Sequence, residues 1–184
     1  YGIFPMILSS LYVTALSVLI GVTIGLFTAI ALYKFLPKKA VPVIRQTVNL
    51  LAGIPSVIFG LFGLKIIVPF LRDYISPTGS SLVLGIMILP TIVSICLDSL
   101  ESVPKEYYEG ALALGATNEQ ATFKVMLPAA KSGVLAGIVL AVGRAIGETM
   151  AVQMIVGNGT GYPSGAFVPF TTLTSNIVQN WGYA

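Results

Sequence analysis

The stretch EGALALGATNEQATFKVMLPAAKSG, Glu109 to Gly133, carries Glu109, Glu119, Lys124 and Lys131 between two long apolar runs. It reads as two short helices joined by a glycine. Ser102, Pro104 and Glu106 start the first, which passes through Tyr108, Ala111 and Leu112 until Gly115 supplies a C-terminal stop. Thr117-Asn118-Glu119-Gln120 fits the S/T-x-x-E/Q capping box and opens the second, which Pro128 ends after Leu127. A half-polar pair this short cannot cross a bilayer, so the flanks decide where it lies.

Those flanks are membrane-like. The chain is 55% hydrophobic and 9% charged, with a mean hydropathy of +0.91, whereas a soluble domain holds about 25% charged residues. No charge falls within Tyr1–Tyr33, Gln46–Leu64, Tyr74–Leu97 or Thr149–Ala184, and about 20 apolar residues suffice for a helix to cross. The pattern predicts an all-α, polytopic transmembrane helix bundle over 1–184, with a hairpin within 98–132 and about five spans. These run over Met6–Leu36, Val48–Phe70, Leu82–Leu97, Gly133–Val156 and, beginning at Phe170, the C-terminal stretch.

In the first span Ser17, Gly21, Gly25 and Thr28 are small residues that let helices approach closely. In the second, Gly53 and Pro55 weaken backbone bonding at membrane depth, either as a packing kink or as the lining of a cavity. Pro90 kinks the third. Lys34, Pro37, Lys38, Lys39 and Arg45 form a connection with four of the ten basic residues and no acid, which faces the cytoplasm. Two crossings later the hairpin returns to that face. Arg72 and Asp73 then lie in an external loop. The chain opens without Met or a signal peptide and ends at Trp181-Gly182-Tyr183-Ala184, so trimming at both ends is expected.

Several function classes are disfavoured. The net charge of +3 and pI near 9.0 come from connections between apolar runs, which orient helices rather than bind nucleic acid. Cys96 is the single cysteine and there is no histidine, so neither a zinc nor a haem site is expected, and Cys96 reads as a small buried hydrophobe. No span holds a catalytic pair. Gly157-Asn158-Gly159-Thr160-Gly161 lacks the Lys-Ser/Thr of a phosphate loop and reads as an external loop. Lys65 snorkels from a span end. Thr171, Thr172, Thr174, Ser175 and Asn176 form a hydroxyl-rich patch that bonds a neighbouring helix or an oxyanion, packing being favoured.

Two features carry chemistry. The hairpin could lie on lipid or receive a soluble partner. Asp98, Glu101, Glu106, Glu109 and Glu119 outweigh Lys105, Lys124 and Lys131 around it, which favours a protein partner over anionic headgroups. Arg144 and Glu148, four apart in an apolar run, fall on one face of a helix, and each costs about 2.5–3.5 kcal/mol at the bilayer centre, so neither faces lipid. They are either a self-neutralising packing pair or a guanidinium fork for an oxyanion with its carboxylate counterpart.

The run Glu109-Gly110-Ala111, Gly115, Val125, Leu127-Pro128 resembles the EAA motif of ABC-importer permeases, E-A-A-x3-G-x9-I-x-L-P, with Gly110 for Ala and Val125 for Ile. LAGIPSVIFGLFG (Leu51 to Gly63), GRAIGETMAV (Gly143 to Val152) and TLTSNI (Thr172 to Ile177) look like the phosphate-uptake permeases, of the PstC type more than the PstA type. The resemblance covers nearly the whole chain. It implies that Glu109, Gly110, Ala111, Gly115, Val125, Leu127 and Pro128 dock a cytoplasmic PstB-like ATPase. It also implies a PstA-like second permease, a PstS-like extracytoplasmic phosphate-binding protein, and a phosphate pathway at Arg144 and Glu148 in the cell inner membrane. The first membrane helix, an external segment and the final helix of that family would lie beyond these residues. The chain has no Walker A sequence G-x-x-x-x-G-K-[ST], so ATP and Mg belong to the partner ATPase and no cofactor is expected here. A permease for sulfate or molybdate, and a membrane scaffold that docks a partner without transport, are the competing readings.

Overall fold

A computed structural model describes residues 3–37, 39–71, 75–157, 159 and 169–181. The expectations for Lys38, Arg72, Asp73, most of the loop 157–169 and the last three residues lie outside them. Among the described residues every regular element is a helix: α1 (Phe4–Phe35), α2 (Ala40–Ala52), α3 (Ser56–Phe70), α4 (Pro77–Glu101), α5 (Lys105–Ala113), α6 (Asn118–Ala129), α7 (Lys131–Gly147), α8 (Met150–Val156) and α9 (Leu173–Asn180).

Among the described residues α1 and α4 are each long and apolar enough to cross a membrane alone, and two further spans arise only if bent pairs are counted whole. The expected second span is one such pair. Gly53, Ile54 and Pro55 interrupt it, so that α2 and α3 diverge by 95°. The expected fourth span begins earlier, at Lys131, and ends at Gly147; Glu148 and Thr149 leave the helix before α8 resumes. The fifth is represented by α9, eight residues and roughly 12 Å long. Among the described residues the second expected span is thus broken and the fourth interrupted, while α4 continues as one helix past Pro90.

Wide turns recur at prolines. The segments Ala31–Phe35, Gly63–Ile67 and Thr122–Met126 are π-helical, and each is closed by a bond from the residue just before a proline. Leu36 N–H donates to Ala31 O, Val68 to Gly63 O and Leu127 to Thr122 O, followed by Pro37, Pro69 and Pro128. A helical proline lacks its own donor and its ring crowds the carbonyl four residues back. That carbonyl belongs to Tyr33, Lys65 or Lys124, inside the wide turn in every case. Widening by one residue relieves the crowding and lets the helix proceed through Pro69 and Pro128, whereas α1 ends before Pro37, with Leu36 extended. Pro128 accordingly does not end α6 at Leu127; the chain turns at Ala130, through 68°, into α7.

The described residues divide into two compact units, and α1, α4 and α7 contribute to both. The first draws on 1–21, 53–88 and 142–184. Its centre is built of Val83, Leu84, Met87 and Ile88 of α4 with Ile155 and Val156 of α8, all fully buried. Gly60 and Gly63, one turn apart, bring α3 against α8. A Cβ at Gly60 would stand 2.7 Å from Met154 Sδ, and one at Gly63 would collide with Ile155 Cδ1 and Val83 Cγ2.

The second unit draws on 22–52 and 89–141. Ile92, Cys96, Leu97 and Leu100 of α4 form its core with Ala121 and Met126 of α6 and Ala141 of α7. Cys96 is buried as expected, and Gly25 of α1 lies against Ile92.

Buried hydroxyls are satisfied locally: Ser9 donates to Pro5 O, Ser17 to Thr14 O and Ser81 to Pro77 O, at 2.9, 2.9 and 2.7 Å. Ile7, Leu11, Leu19, Ile24 and Phe27 of α1 are exposed at 42–65%, an outward apolar surface of the kind a membrane-crossing helix carries.

Candidate functional site

The hairpin 105–129 is built by local chemistry. Gly115 sits at φ +88°, its N–H donates to Leu112 O at 2.9 Å, and Ala116 N–H reaches back to Ala111 O at 3.0 Å. Those two bonds make a Schellman stop to α5. Thr117 Oγ1 then accepts from Gln120 N–H at 3.2 Å while Gln120 Oε1 accepts from Thr117 N–H at 3.1 Å, the reciprocal capping box that starts α6. Both elements are those the sequence predicts.

Ala121, Thr122 and Met126 are buried against the second unit's core, while Glu109, Gly110 and Gly115 are exposed and Ala111, Val125 and Leu127 half-buried. Leu114, at the tip, is 92% exposed. The motif residues therefore share one projecting hairpin with open space around Gly110 and Gly115. At its base a cleft of about 300 Å³ is lined by Ser99, Ser102, Tyr107 and Ser132.

Three side chains at this base escape sequence reasoning. Lys34, in the wide turn that ends α1, places Nζ 3.6 Å from the centroid of the Tyr108 ring. Tyr108 Oη donates to Asn118 Oδ1 at 2.7 Å. Arg45 of α2 pairs with Asp98 at 2.6 Å and Glu101 at 3.1 Å, both on α4. Lys34 and Arg45 read in sequence only as topology-setting charges, because no spacing rule links residues so far apart.

Arg144 and Glu148 do not share a helix. Arg144, half-buried, lies in the last turn of α7, and Glu148 follows the break. The Glu148 carboxylate turns to the next helix and accepts from Ala151 N–H at 3.2 Å, since Thr149, at the N-cap, makes no side-chain cap of its own. Guanidinium at a helix C-terminus and carboxylate at a helix N-terminus each complement the local dipole. Glu148 also lines a cleft of about 10 Å³ with Ser10, Thr14, Thr172 and Thr174, space for about one water. Thr172 Oγ1 caps α9 by accepting from Ser175 N–H at 3.4 Å, and Ser10 Oγ accepts from Leu173 N–H at 3.0 Å. Within the hydroxyl patch Thr172 thus caps its own helix and Thr171 Oγ1 donates to Gly159 O at 3.1 Å, while Thr172 and Thr174 border the carboxylate. Among the described residues no group of His, Cys, Asp and Glu could hold a metal ion.

Apolar helices, broken spans and a projecting polar hairpin are those of a multi-pass membrane protein. The family described as binding-protein-dependent transport system inner membrane component matches residues 21–178, and the chain belongs to it. It is 43% identical over its full length to the probable ABC transporter permease protein YqgH of Bacillus subtilis, of which it covers 61%. It is 33% identical to the phosphate transport system permease protein PstC of Mesorhizobium japonicum and 34% to that of Pasteurella multocida, over 98% and 100% of the chain and 63% and 65% of those proteins. The chain thus spans less than two thirds of these relatives' length. In fold it is similar to a chain of the MetNI methionine ABC transporter in an inward-facing conformation, with a TM-score of 0.77, 23% identity, and 99% of this chain and 79% of that one covered. A chain of an amino acid ABC transporter follows at 0.64 and 23%, covering 97% and 78%.

Proposed function

We propose that the chain is the membrane-spanning core of a permease subunit in an ATP-driven importer of inorganic phosphate. Similarity over 98–100% of the chain to proteins named as phosphate transport permeases carries this reading, and the exposed hairpin supports it. The hairpin would face the cytoplasm and receive a separate ATPase that holds ATP and Mg, while this chain hydrolyses nothing itself. A homologous second permease would complete the pathway and an extracytoplasmic binding protein would feed it.

In this mechanism the hairpin moves with the ATPase and the broken helices re-pack, opening the pathway to one face and then the other. Arg144 binds the oxyanion with a planar pair of N–H donors, and Glu148, bonded to Ala151 N–H, supplies the opposing charge that keeps the anion releasable. The test is ATP-dependent uptake of labelled phosphate and labelled sulfate into vesicles holding the full-length protein and its partners, with Arg144→Gln compared. Phosphate uptake falls by about tenfold or more in the variant, the effect of losing one hydrogen bond to a charged group, while assembly persists. Sulfate uptake in place of phosphate overturns the substrate. Unchanged phosphate uptake removes Arg144 from the pathway, and no uptake by the intact wild-type assembly leaves a scaffold.

A further inference from the structure

We infer that Tyr108 is a positioning residue that fastens the hairpin to the end of α1 and makes α5 and α6 move as one body; this rests on the proposed coupling role. Leu114 to Thr117 join the two hairpin helices, with Gly115 in a positive-φ turn. Such a turn sets direction, and side-chain contacts between the helices hold the angle. Tyr108 adds a polar one. Its hydroxyl donates to Asn118 Oδ1 at 2.7 Å, and Asn118 is the first residue of α6, beside the capping box. The backbone of the same residue is held too, since Thr122 Oγ1 donates to Asn118 O at 2.8 Å.

The ring face of Tyr108 meets the ammonium of Lys34 at 3.6 Å. The two contacts reinforce each other, because a phenol that donates its proton gains electron density on the ring, which attracts the cation more strongly. Lys34 lies in the wide turn of α1, closed by Leu36 N–H on Ala31 O, at the end of a helix long enough to span a bilayer. A push on the exposed Leu114 tip is thereby delivered to α1 through one side chain, by a route independent of the chain connection through α4.

The test uses the full assembly in vesicles with Lys34→Gln, Lys34→Arg, Tyr108→Phe and Tyr108→Leu. Two readouts are taken: phosphate taken up per ATP hydrolysed, and the width of the distance distribution between spin labels at Phe27 and Leu114, both exposed. In Lys34→Gln and Tyr108→Leu, uptake per ATP falls about two- to fivefold, the ratio an exposed cation–π contact sustains, and the distribution broadens with the ATPase still bound. Lys34→Arg restores both readouts, as a purely steric role for the lysine would not require. Tyr108→Phe, which keeps a ring and loses the hydroxyl bond, falls between. An unchanged distribution in Lys34→Gln and Tyr108→Leu overturns the tether. Should wild type transport no phosphate, the distribution alone decides: broadening upholds the tether while the proposed substrate fails. Lys34 is exposed, so its variants remain informative if Tyr108→Leu does not assemble.

Discussion

The same substitution, made five residues apart in one hairpin, has opposite effects. Gly115→Ala puts a Cβ on a residue at φ +88°, a conformation that costs an L-residue about 1–2 kcal/mol. The new methyl would meet nothing within 4 Å, so the penalty is purely backbone and no neighbour can shift to relieve it. Gly110 lies inside α5 with equally open space. There alanine removes the entropic cost of glycine and stabilises by about 0.5–1 kcal/mol. Hydrogen exchange of the amides of α5 and α6, followed by mass spectrometry, reads both as changes in local opening. Exchange accelerates roughly five- to thirtyfold in Gly115→Ala and slows about two- to fivefold in Gly110→Ala. Unchanged exchange in Gly115→Ala would refute the left-handed turn, and faster exchange in Gly110→Ala would refute the regular helix around that residue.

Gly63→Ala drives a methyl into Ile155 and Val83, an overpacking cost of about 1–3 kcal/mol; its thermal midpoint in detergent is lower than wild type, and an equal midpoint would contradict the close approach of α3 and α8. Arg45→Gln removes both ion pairs of a site whose three side chains are 36%, 68% and 45% exposed. Solvent screening holds that loss to about 1 kcal/mol or less, and the difference from wild type shrinks at about 1 M salt, where screening reaches ~3 Å. A loss that grows with salt would assign Arg45 another role.

The hairpin was legible because its determinants are local: Gly115, Thr117 and Gln120 each act on backbone within a few residues of themselves. Burial of Cys96 and the packing face of α1 were legible from composition along one helix. The breaks were less so. Gly53 and Pro55 announce weakened bonding, but whether a helix bends or turns through 95° depends on what α3 finds to pack against, here Ala151 and Ile155. The break at Glu148 carries no proline, and four-residue spacing favoured one continuous helix; the carboxylate instead caps α8, an option visible only once the helix is seen to stop. The contacts of Lys34 with Tyr108 and of Arg45 with Asp98 and Glu101 join distant segments, which periodicity does not report.

The wide turns before Pro37, Pro69 and Pro128 have a consequence for insertions and deletions. Each holds one residue more than an α-helix needs to cover the same rise, so each is a site where the chain tolerates a change of length. Deleting one residue within 64–67, together with replacement of Pro69, lets the turn close to α-helical form with the flanking faces in place. A deletion two turns earlier in α3 carries no such slack. It rotates what lies on one side of it by about 100° relative to the other, separating Gly60 or Gly63 from the α8 surface that only a glycine can approach.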